Sequence, residues 1–199
     1  MTTASAAVLL DAAARGRLPP WAEATPKRSR HMARVAALLG DWAAHAGEPA
    51  SVLARWRATG WLHDALRDAE PDRLRPLVPE PMRSLPGSFL HGPATAARLE
   101  AEGVNDEEML EAIRYHTLGR PQLGRLGRLL IAADYLDPGR PRQPEWRAVL
   151  RARMPEALDD VFATIIETKL RTSLERRDPI RPEMLALYNA LVGGNDAHG

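Results

Sequence analysis

The chain has no cysteine among its 199 residues. Disulfides, thiolate nucleophiles and cysteine-ligated metal sites are therefore excluded, and any bound metal must be held by imidazole, carboxylate and water. Long hydrophobic runs are also lacking, because the apolar stretch in residues 1–10 is short, rich in alanine and free of basic residues. We expect neither a signal peptide nor a membrane-spanning segment, and hence a cytoplasmic protein with no membrane partner.

The chain has almost no excess charge of either sign, with a formal net charge of +1 at pH 7. So small a charge creates no overall field that would attract nucleic acid or an anionic membrane. Aromatic residues make up only 5% of the chain, and no basic stripe is interleaved with them, so no nucleic-acid partner is expected. The balance of 45% apolar and 27% charged residues is typical of one globular domain.

Helical spacing of apolar residues runs through nearly the whole chain, with neither an alternating strand pattern nor an internal repeat. Thr25 followed by Pro26 predicts a helix start, and that helix should carry His31 and end before Gly47. Further helices are predicted for residues 6–14, 52–66, 92–103, 106–116 and 123–136, with two or three more in 144–192. Asn105 and Glu108 resemble a capping box. The proline-rich residues 68–86 are predicted to form an irregular surface segment.

Histidine is scarce, and its distribution is the most informative feature of the chain. Four of the six histidines, together with two aspartates, form an ordered series on or beside the predicted helices: His31, His63, Asp64, His91, His116 and Asp134. A single histidine between helices is more often a core or surface residue than a ligand, and an isolated His-Asp pair is weak evidence. The ordered combination favours a metal centre, whereas His45, beside Gly47, is interpreted as solvated.

The types and positions of these donors favour two metals. Asp64 has two carboxylate oxygens and could bridge both ions. His31, His63 and Asp134 suit the first ion, while His91 and His116 suit the second. Mixed imidazole and carboxylate ligands favour iron, manganese or zinc over magnesium or calcium. Two ions about 3.5–4 Å apart activate a water and clamp a phosphoryl group, which predicts hydrolysis of a phosphate ester or anhydride.

The residues around these donors resemble the HD-domain superfamily, and within it the YqeK family. The matching words are Arg30-His31, Leu62-His63-Asp64, Leu90-His91-Gly92-Pro93, Ile113-Arg114-Tyr115-His116-Thr117-Leu118-Gly119-Arg120-Pro121 and Ala133-Asp134-Tyr135-Leu136-Asp137-Pro138. The resemblance implies an all-α, single-domain helical bundle with the metal site in its core. It also implies a di-iron centre, symmetrical cleavage of diadenosine tetraphosphate into two ADP, and a metal-ligand role for all six residues.

The resemblance extends over roughly residues 21–191 and sets the expected domain limits. An HD-type phosphohydrolase domain is expected at residues 21–192, preceded by an N-terminal helical extension at 1–20 and followed by a disordered tail at 193–199. Amphipathic helices at both ends of the chain would allow a homodimer, although the oligomeric state cannot be read from the pattern.

Four further residues are candidates for contact with a nucleotide substrate. Arg120 lies close in sequence to His116 and is assigned a catalytic phosphate contact, alongside the catalytic role of Asp64. Arg67 stands where the family usually has lysine and could form a bidentate phosphate contact, and Arg140 is a weaker candidate. Tyr135 could stack on a base, although packing against a helix is the more common role for such a residue.

Two alternative functions remain open from the sequence. One is an HD phosphatase that acts on a mononucleotide or an alarmone with the same metal chemistry. The other is a nucleotide-sensing module without turnover, which the complete ligand series disfavours.

Overall fold

The computed structural model describes residues 3–193, and within that range all regular secondary structure is helical. The helices are α1 (Thr3–Ala14), α2 (Pro26–His45), α3 (Ala50–Leu62), the short α4 (Pro71–Leu74), α5 (His91–Ala101), α6 (Glu107–Tyr115), α7 (Arg125–Tyr135), α8 (Pro144–Ala152), α9 (Leu158–Arg176) and α10 (Pro182–Gly193). The all-α prediction is confirmed. The expected tail begins with Gly193, which ends α10, and residues 194–199 of that prediction lie outside the described part of the chain.

Helix α2 shows how the sequence pattern builds the core. The Thr25 side chain accepts a hydrogen bond from the backbone N–H of Arg28, and Pro26 begins the helix, as predicted. One face of α2 is buried and carries His31, Met32, Val35, Ala36, Leu39, Gly40, Trp42 and Ala43. This face packs against α3 and α7, so a histidine on it points into the bundle.

The remaining helices enclose the same core. Helix α1 packs on α3, α6 packs between α5 and α7, and α9 packs on α7 and carries α10 on its other side. Ala13 of α1 and Leu187 of α10 are both buried in this main cluster, together with Ile165 of α9. In the described part of the chain, no helix is both long and apolar enough to cross a membrane.

Two predicted helix boundaries were wrong. The helix that carries the His-Asp pair ends at Leu62 instead of residue 66, and His63 and Asp64 lie in the turn that follows it. The backbone N–H of Ala65 donates to the Leu62 carbonyl, a three-residue closure that tightens the chain and replaces the α-helical pattern. Helix α6 is capped by Asp106, whose side chain accepts from the N–H of Met109, and not by the expected Asn105.

The proline-rich residues 68–86 are more ordered than an irregular surface segment. They form α4 and two short 3₁₀ turns, Arg75–Leu77 and Glu80–Met82. Apolar side chains from this segment and its neighbours form a second, smaller buried cluster: Leu66, Ala69, Leu74, Val78, Leu85, Leu90, Ala94 and Leu118. Leu90 immediately precedes His91, so this cluster supports one edge of the histidine group.

Candidate metal centre

Four histidine rings meet in the interior of the bundle. The ring centroids of His31 and His63 are 5.4 Å apart, those of His63 and His116 are 5.1 Å apart, and those of His91 and His116 are 5.0 Å apart. All four side chains are buried. Each comes from a different helix or helix end, so the fold brings together residues that are distant in the sequence.

His63 and His116 are held by the same local geometry. Each follows the last residue of a helix, and each Nδ1 donates to the carbonyl three residues earlier, at 2.8 Å to Gly60 and 2.7 Å to Ile113. A proton held on Nδ1 leaves Nε2 with a free lone pair. The two rings are therefore fixed in the tautomer that a metal ligand requires.

His31 is oriented by a carboxylate instead of a carbonyl. Its Nδ1 lies 2.7 Å from Oδ2 of Asp137, which is buried and also accepts from the backbone N–H of Gly139 and from Arg34. The Nε2 of His31 then lies 3.1 Å from Oδ1 of Asp134, in the last turn of α7. A carboxylate behind the ring makes the imidazole a stronger ligand.

The two oxygens of Asp64 face different pairs of histidines. Oδ2 lies 3.7 Å from Nε2 of His31 and 3.6 Å from Nε2 of His63. Oδ1 lies 3.2 Å from Nε2 of His91 and 3.5 Å from Nε2 of His116. One carboxylate thus separates two sets of donors, which is the arrangement required of a bridging ligand between two ions.

The donor geometry fits a pair of metal ions. In one set, His31, His63 and Asp64 each offer a ligand atom, and all three atoms lie within 4.8 Å of one another; the set of Asp64, His91 and His116 meets the same limit. The Nε2 of His63 is fully buried and has no hydrogen-bond partner in the described residues. A buried nitrogen without a partner is unfavourable unless a cation accepts its lone pair.

The pKa shifts keep most of these groups in the state that binds cations. Burial lowers the pKa of His63 to about 4 against the opposing charge of Asp64, and burial likewise lowers the pKa of His91. Burial would raise the pKa of Asp64, but the neighbouring His63 and His116 outweigh it and hold that pKa well below its usual range. His63 and His91 are therefore neutral and Asp64 is ionised near pH 7.

His31 differs because three carboxylates surround it. Burial lowers its pKa, but Asp134, Asp137 and Asp64 outweigh burial and raise the pKa to about 9. The negative field that favours a proton on His31 also favours a metal cation beside it, so metal and proton compete at this ring.

Gly92, directly after His91, allows α5 and α6 to approach closely. A Cβ at this position would lie 2.7 Å from the Ile113 carbonyl oxygen and 3.2 Å from Cε1 of His116. Any larger residue would push the start of α5 away from the end of α6 and separate His91 from His116. The close approach of α5 and α6 at the candidate metal centre thus explains the glycine in the His-Gly-Pro sequence.

Three residues in or behind the contacts to the donors had no role predicted from the sequence. Asp137 orients His31, Arg34 pairs with Asp137, and Nη1 of Arg28 lies 2.6 Å from Oδ2 of Asp64. Arg28 lies three residues before His31, one helical turn away, and Asp137 lies three residues after Asp134. Helical spacing was therefore a usable signal for Arg28, whereas Asp137 lies beyond the end of α7.

The predicted substrate-binding residues lie in different surroundings. Arg140 donates to the side chain and the carbonyl of Asp134, at the edge of the donor group. Arg67 lies near enough to His91 for its charge to contribute to the lowered pKa of that ring.

Arg120 pairs with Glu111 and lies 5.0 Å above the Tyr115 ring. Tyr135 packs edge-on against Trp146 and beneath Arg147. These contacts agree with the alternative that Tyr135 packs against a neighbouring helix.

Two cavities flank the donor group. The first, of about 450 Å³, is lined by His31, Lys27, Arg28, Arg34 and Arg140, and we call it the α2 cavity. The second, of about 710 Å³, is lined by Tyr135, Arg140, Arg142, Arg147, Lys169 and Arg176, and we call it the α9 cavity. Arg140 lines both, so the cavities adjoin each other beside Asp134.

Comparison with known proteins places this arrangement in a family. The family model of the HD domain matches residues 28–139, a segment that includes all six donors. This chain belongs to the HD domain family. Proteins of the HD domain family bind divalent metals, and the His/Asp group described here could hold such ions.

Three relatives within the HD domain family are each named "Bis(5'-nucleosyl)-tetraphosphatase, symmetrical". The protein of Halalkalibacterium halodurans is 32% identical over 139 residues, which cover 65% of this chain and 72% of the relative. That of Bacillus subtilis is 34% identical over 53% of this chain and 56% of the relative, and that of Staphylococcus aureus is 55% identical over 26% and 27%.

A solved structure confirms the fold. The crystal structure of a predicted HD superfamily hydrolase involved in NAD metabolism, from Clostridium acetobutylicum, superposes with a TM-score of 0.73. The match covers 85% of this chain and 90% of that one at 21% identity. At this identity the likeness concerns the HD fold alone.

Proposed function

We propose that this chain is a metal-dependent phosphohydrolase that cleaves a bis(5'-nucleosyl) tetraphosphate, diadenosine tetraphosphate above all, into two nucleoside diphosphates. The observation that carries the proposal is the division of the Asp64 oxygens between two pairs of histidines. The names of the relatives support the choice of substrate. In this reaction one water adds to an inner phosphorus, the central P–O–P bond breaks, and both products are ADP.

We propose that six residues hold two ions. His31, His63 and Asp134 would bind one ion, His91 and His116 would bind the other, and Asp64 would bridge them. When bound, such a pair lowers the pKa of a water molecule and neutralises charge on the phosphoryl oxygens. Iron is the proposed metal, because four imidazoles and two carboxylates suit it better than magnesium or calcium, and manganese and zinc are the competing candidates.

The chain's own residues would bind and orient the phosphates. Arg28, Arg34 and Arg140 line the α2 cavity. Arg28 and Arg140 are held by the donor carboxylates of Asp64 and Asp134, and Arg34 is held by Asp137, which orients His31. A guanidinium has five N–H donors, so one ion pair leaves others available for phosphate oxygens. Because these arginines are fixed by their carboxylates, they are positioned before the substrate arrives. The phosphate contact of Arg120 stays a prediction, and it would require Arg120 to leave its ion pair with Glu111.

Metal content and product analysis test the proposal together. We expect two metal ions per chain after iron loading and ADP as the sole nucleotide product from diadenosine tetraphosphate. Reconstitution of chelator-treated protein with iron, manganese or zinc in parallel would identify the metal that gives the highest rate. ATP and AMP as products, or an inert substrate with both ions bound, would contradict the proposed reaction.

A substitution of Asp64 tests its proposed bridging role separately. Asp64→Asn keeps the shape of the side chain but removes its charge and one acceptor oxygen, so we expect at most one metal ion per chain and activity at background level. Asp41→Asn, an exposed change on α2, removes the same charge far from the donors and serves as the matched control. Two bound ions in Asp64→Asn would show that this carboxylate does not bridge.

A further inference from the structure

The α9 cavity carries an excess of positive charge. Its basic residues are Arg140, Arg142, Arg147, Lys169 and Arg176, and Glu175 is the single acidic residue of its lining. Among residues 3–193, only Arg140 of these five forms an ion pair with a carboxylate. Cations gathered in a concave site without counter-ions repel one another, and a bound anion relieves that repulsion.

Arg147 shows the imbalance at a buried position. It is only 7% exposed, and its guanidinium donates to the backbone carbonyls of Arg142 and Tyr135 while lying 4.1 Å from the Tyr135 ring centroid. Carbonyl dipoles and an aromatic face satisfy its N–H groups but leave its full charge uncompensated. Arg147 therefore makes the floor of the α9 cavity positive.

Lys169 is shared by the α9 cavity and a neighbouring cavity. It lines the α9 cavity and also a smaller apolar cavity of about 200 Å³, whose wall includes Thr117. The Oγ1 of Thr117 is 3.3 Å from Nε2 of His91, and Arg140 on the other wall contacts Asp134. The lysine thus lies between residues that touch the two ends of the donor group. Burial lowers the pKa of Lys169 against the charge of Asp134, so an anion at the ammonium would stabilise its charged form.

We propose that Lys169, together with Arg142 and Arg176, binds the diphosphate group of one half of the substrate, and that the α9 cavity is the subsite for that nucleoside diphosphate half. This inference rests on the proposed function. Cleavage at the centre of a tetraphosphate requires a diphosphate on each side of the central P–O–P linkage that breaks. The α2 cavity, with Lys27 and Arg34, would take the other half, and Arg140 lies between the two.

The size and lining of the α9 cavity agree with this occupant. A volume of about 710 Å³ lies within the range of roughly 300–1,000 Å³ that is common for small-molecule sites. A diphosphate carries several negative charges, which matches the four cations that lack a carboxylate partner in the described residues: Arg142, Arg147, Lys169 and Arg176. The adjoining small cavity, with Phe89 and Leu118, offers an apolar surface near the same lysine.

The test compares Lys169→Met with Arg171→Met. Both variants remove one positive charge from α9, but Arg171 is exposed and lines neither cavity, so it is the matched control. ADP binding to the iron-loaded protein is measured by calorimetry, and KM and kcat are measured with diadenosine tetraphosphate. We expect Lys169→Met to weaken ADP binding and raise KM by about tenfold or more, with metal content unchanged. Arg171→Met should match the wild type in all of these measurements.

Arg176→Met is the second variant and guards against a folding defect, since Arg176 is exposed at the end of α9. It should weaken ADP binding in the same direction. Wild-type affinity for ADP in both Lys169→Met and Arg176→Met would overturn the α9 subsite even if the enzyme cleaves the tetraphosphate. Conversely, ADP binding that depends on Lys169 in a protein that cannot cleave the tetraphosphate would uphold the subsite and refute the proposed function.

Discussion

Hydrogen bonds from the ring nitrogen Nδ1 fix the orientation of three of the four histidines in the donor group. Nδ1 of His63 and of His116 donates to a backbone carbonyl, and Nδ1 of His31 donates to Asp137. These bonds are independent of any bound ion, so the rings should already be oriented before metal binds. Pre-orientation lowers the conformational entropy lost on binding and raises metal affinity.

Asp137 provides the sharpest test at the scale of single residues. Asp137→Asn keeps an oxygen for His31 but removes the charge that also holds Arg34. We expect metal affinity to fall by about 10–100-fold, as measured by metal titration against a competing chelator. The exposed change Asp160→Asn on α9 is the control. Unchanged affinity in a folded Asp137→Asn protein would mean that this carboxylate only supports the fold.

At the scale of helices, an ion pair joins α3 to the start of α6. Nε and Nη2 of Arg55 lie 2.5 and 2.7 Å from the two carboxylate oxygens of Asp106, and Nη2 also lies 2.9 Å from Glu108. Asp106 caps α6 at the same time. Because His116 directly follows the last residue of α6, this pair helps to determine where that histidine lies.

The pair predicts a pH-dependent contribution to stability. Burial raises the pKa of Asp106, but Arg55 and the N–H of Met109 outweigh it, so the folded pKa is below the unfolded value of about 3.9. The stabilisation is present above that unfolded value and is lost as pH falls from there through the lower folded pKa. Asp106→Asn retains a capping oxygen, and we expect it to lose about 1–3 kcal/mol of unfolding free energy at pH 7.

Urea unfolding at several pH values measures this effect. The difference between wild type and Asp106→Asn should be constant above about pH 5 and shrink below about pH 4. Glu107→Gln, an exposed neighbour in the same helical turn, should change stability by less than about 0.5 kcal/mol. A difference that persists undiminished at low pH would exclude the charge as its cause.

A glycine determines how closely α2 and α3 approach. A Cβ on Gly60 would lie 2.6 Å from the Cα of Ala36 and 2.8 Å from its backbone nitrogen. Alanine is more favourable than glycine within a helix by about 1 kcal/mol. Here, however, the added Cβ would clash with backbone atoms, which can move only if the two helices separate. We expect Gly60→Ala to destabilise the protein by about 1–3 kcal/mol in urea unfolding and to weaken metal binding, since the Gly60 carbonyl holds His63.

Gly193→Ala is the matched control for this change, because a Cβ at Gly193, the last residue of α10, would meet nothing within 4 Å. It should leave stability unchanged or slightly raised. Equal stability of Gly60→Ala and wild type would show that the two helices separate without loss of packing energy.

At the scale of the whole molecule, the apolar core stabilises the fold separately from the proposed metal centre. The main buried cluster reaches from Ala13 of α1 to Leu187 of α10 and does not depend on the donors. Metal removal should therefore leave the helices formed. Each ion at about 1,000 times its dissociation constant contributes about 4 kcal/mol, so we expect removal of both by chelation to lower Tm by roughly 16–32 °C with unchanged far-UV circular dichroism. Loss of helical signal on chelation would show that the fold requires the metal.

Much of the architecture was accessible from local sequence patterns. The start of α2 followed from Thr25 and Pro26, because capping depends on adjacent residues. The end of α3 did not, since the chain leaves the helix at His63 to place Asp64 among histidines from other helices. The Asp106 cap was missed for a similar reason, because the Asp106 side chain also pairs with Arg55, 51 residues earlier.

Sequence alone indicates the helical class, the six residues proposed as metal ligands and, because cysteine is absent, the kind of metal site that they could form. Composition and local spacing carry this information because it depends on residue type and near neighbours. The folded structure was needed to show which oxygen of Asp64 faces which histidines, which carboxylate orients His31 and where the two basic cavities lie. Those features depend on helix packing between distant segments, as the 106 residues between His31 and Asp137 illustrate.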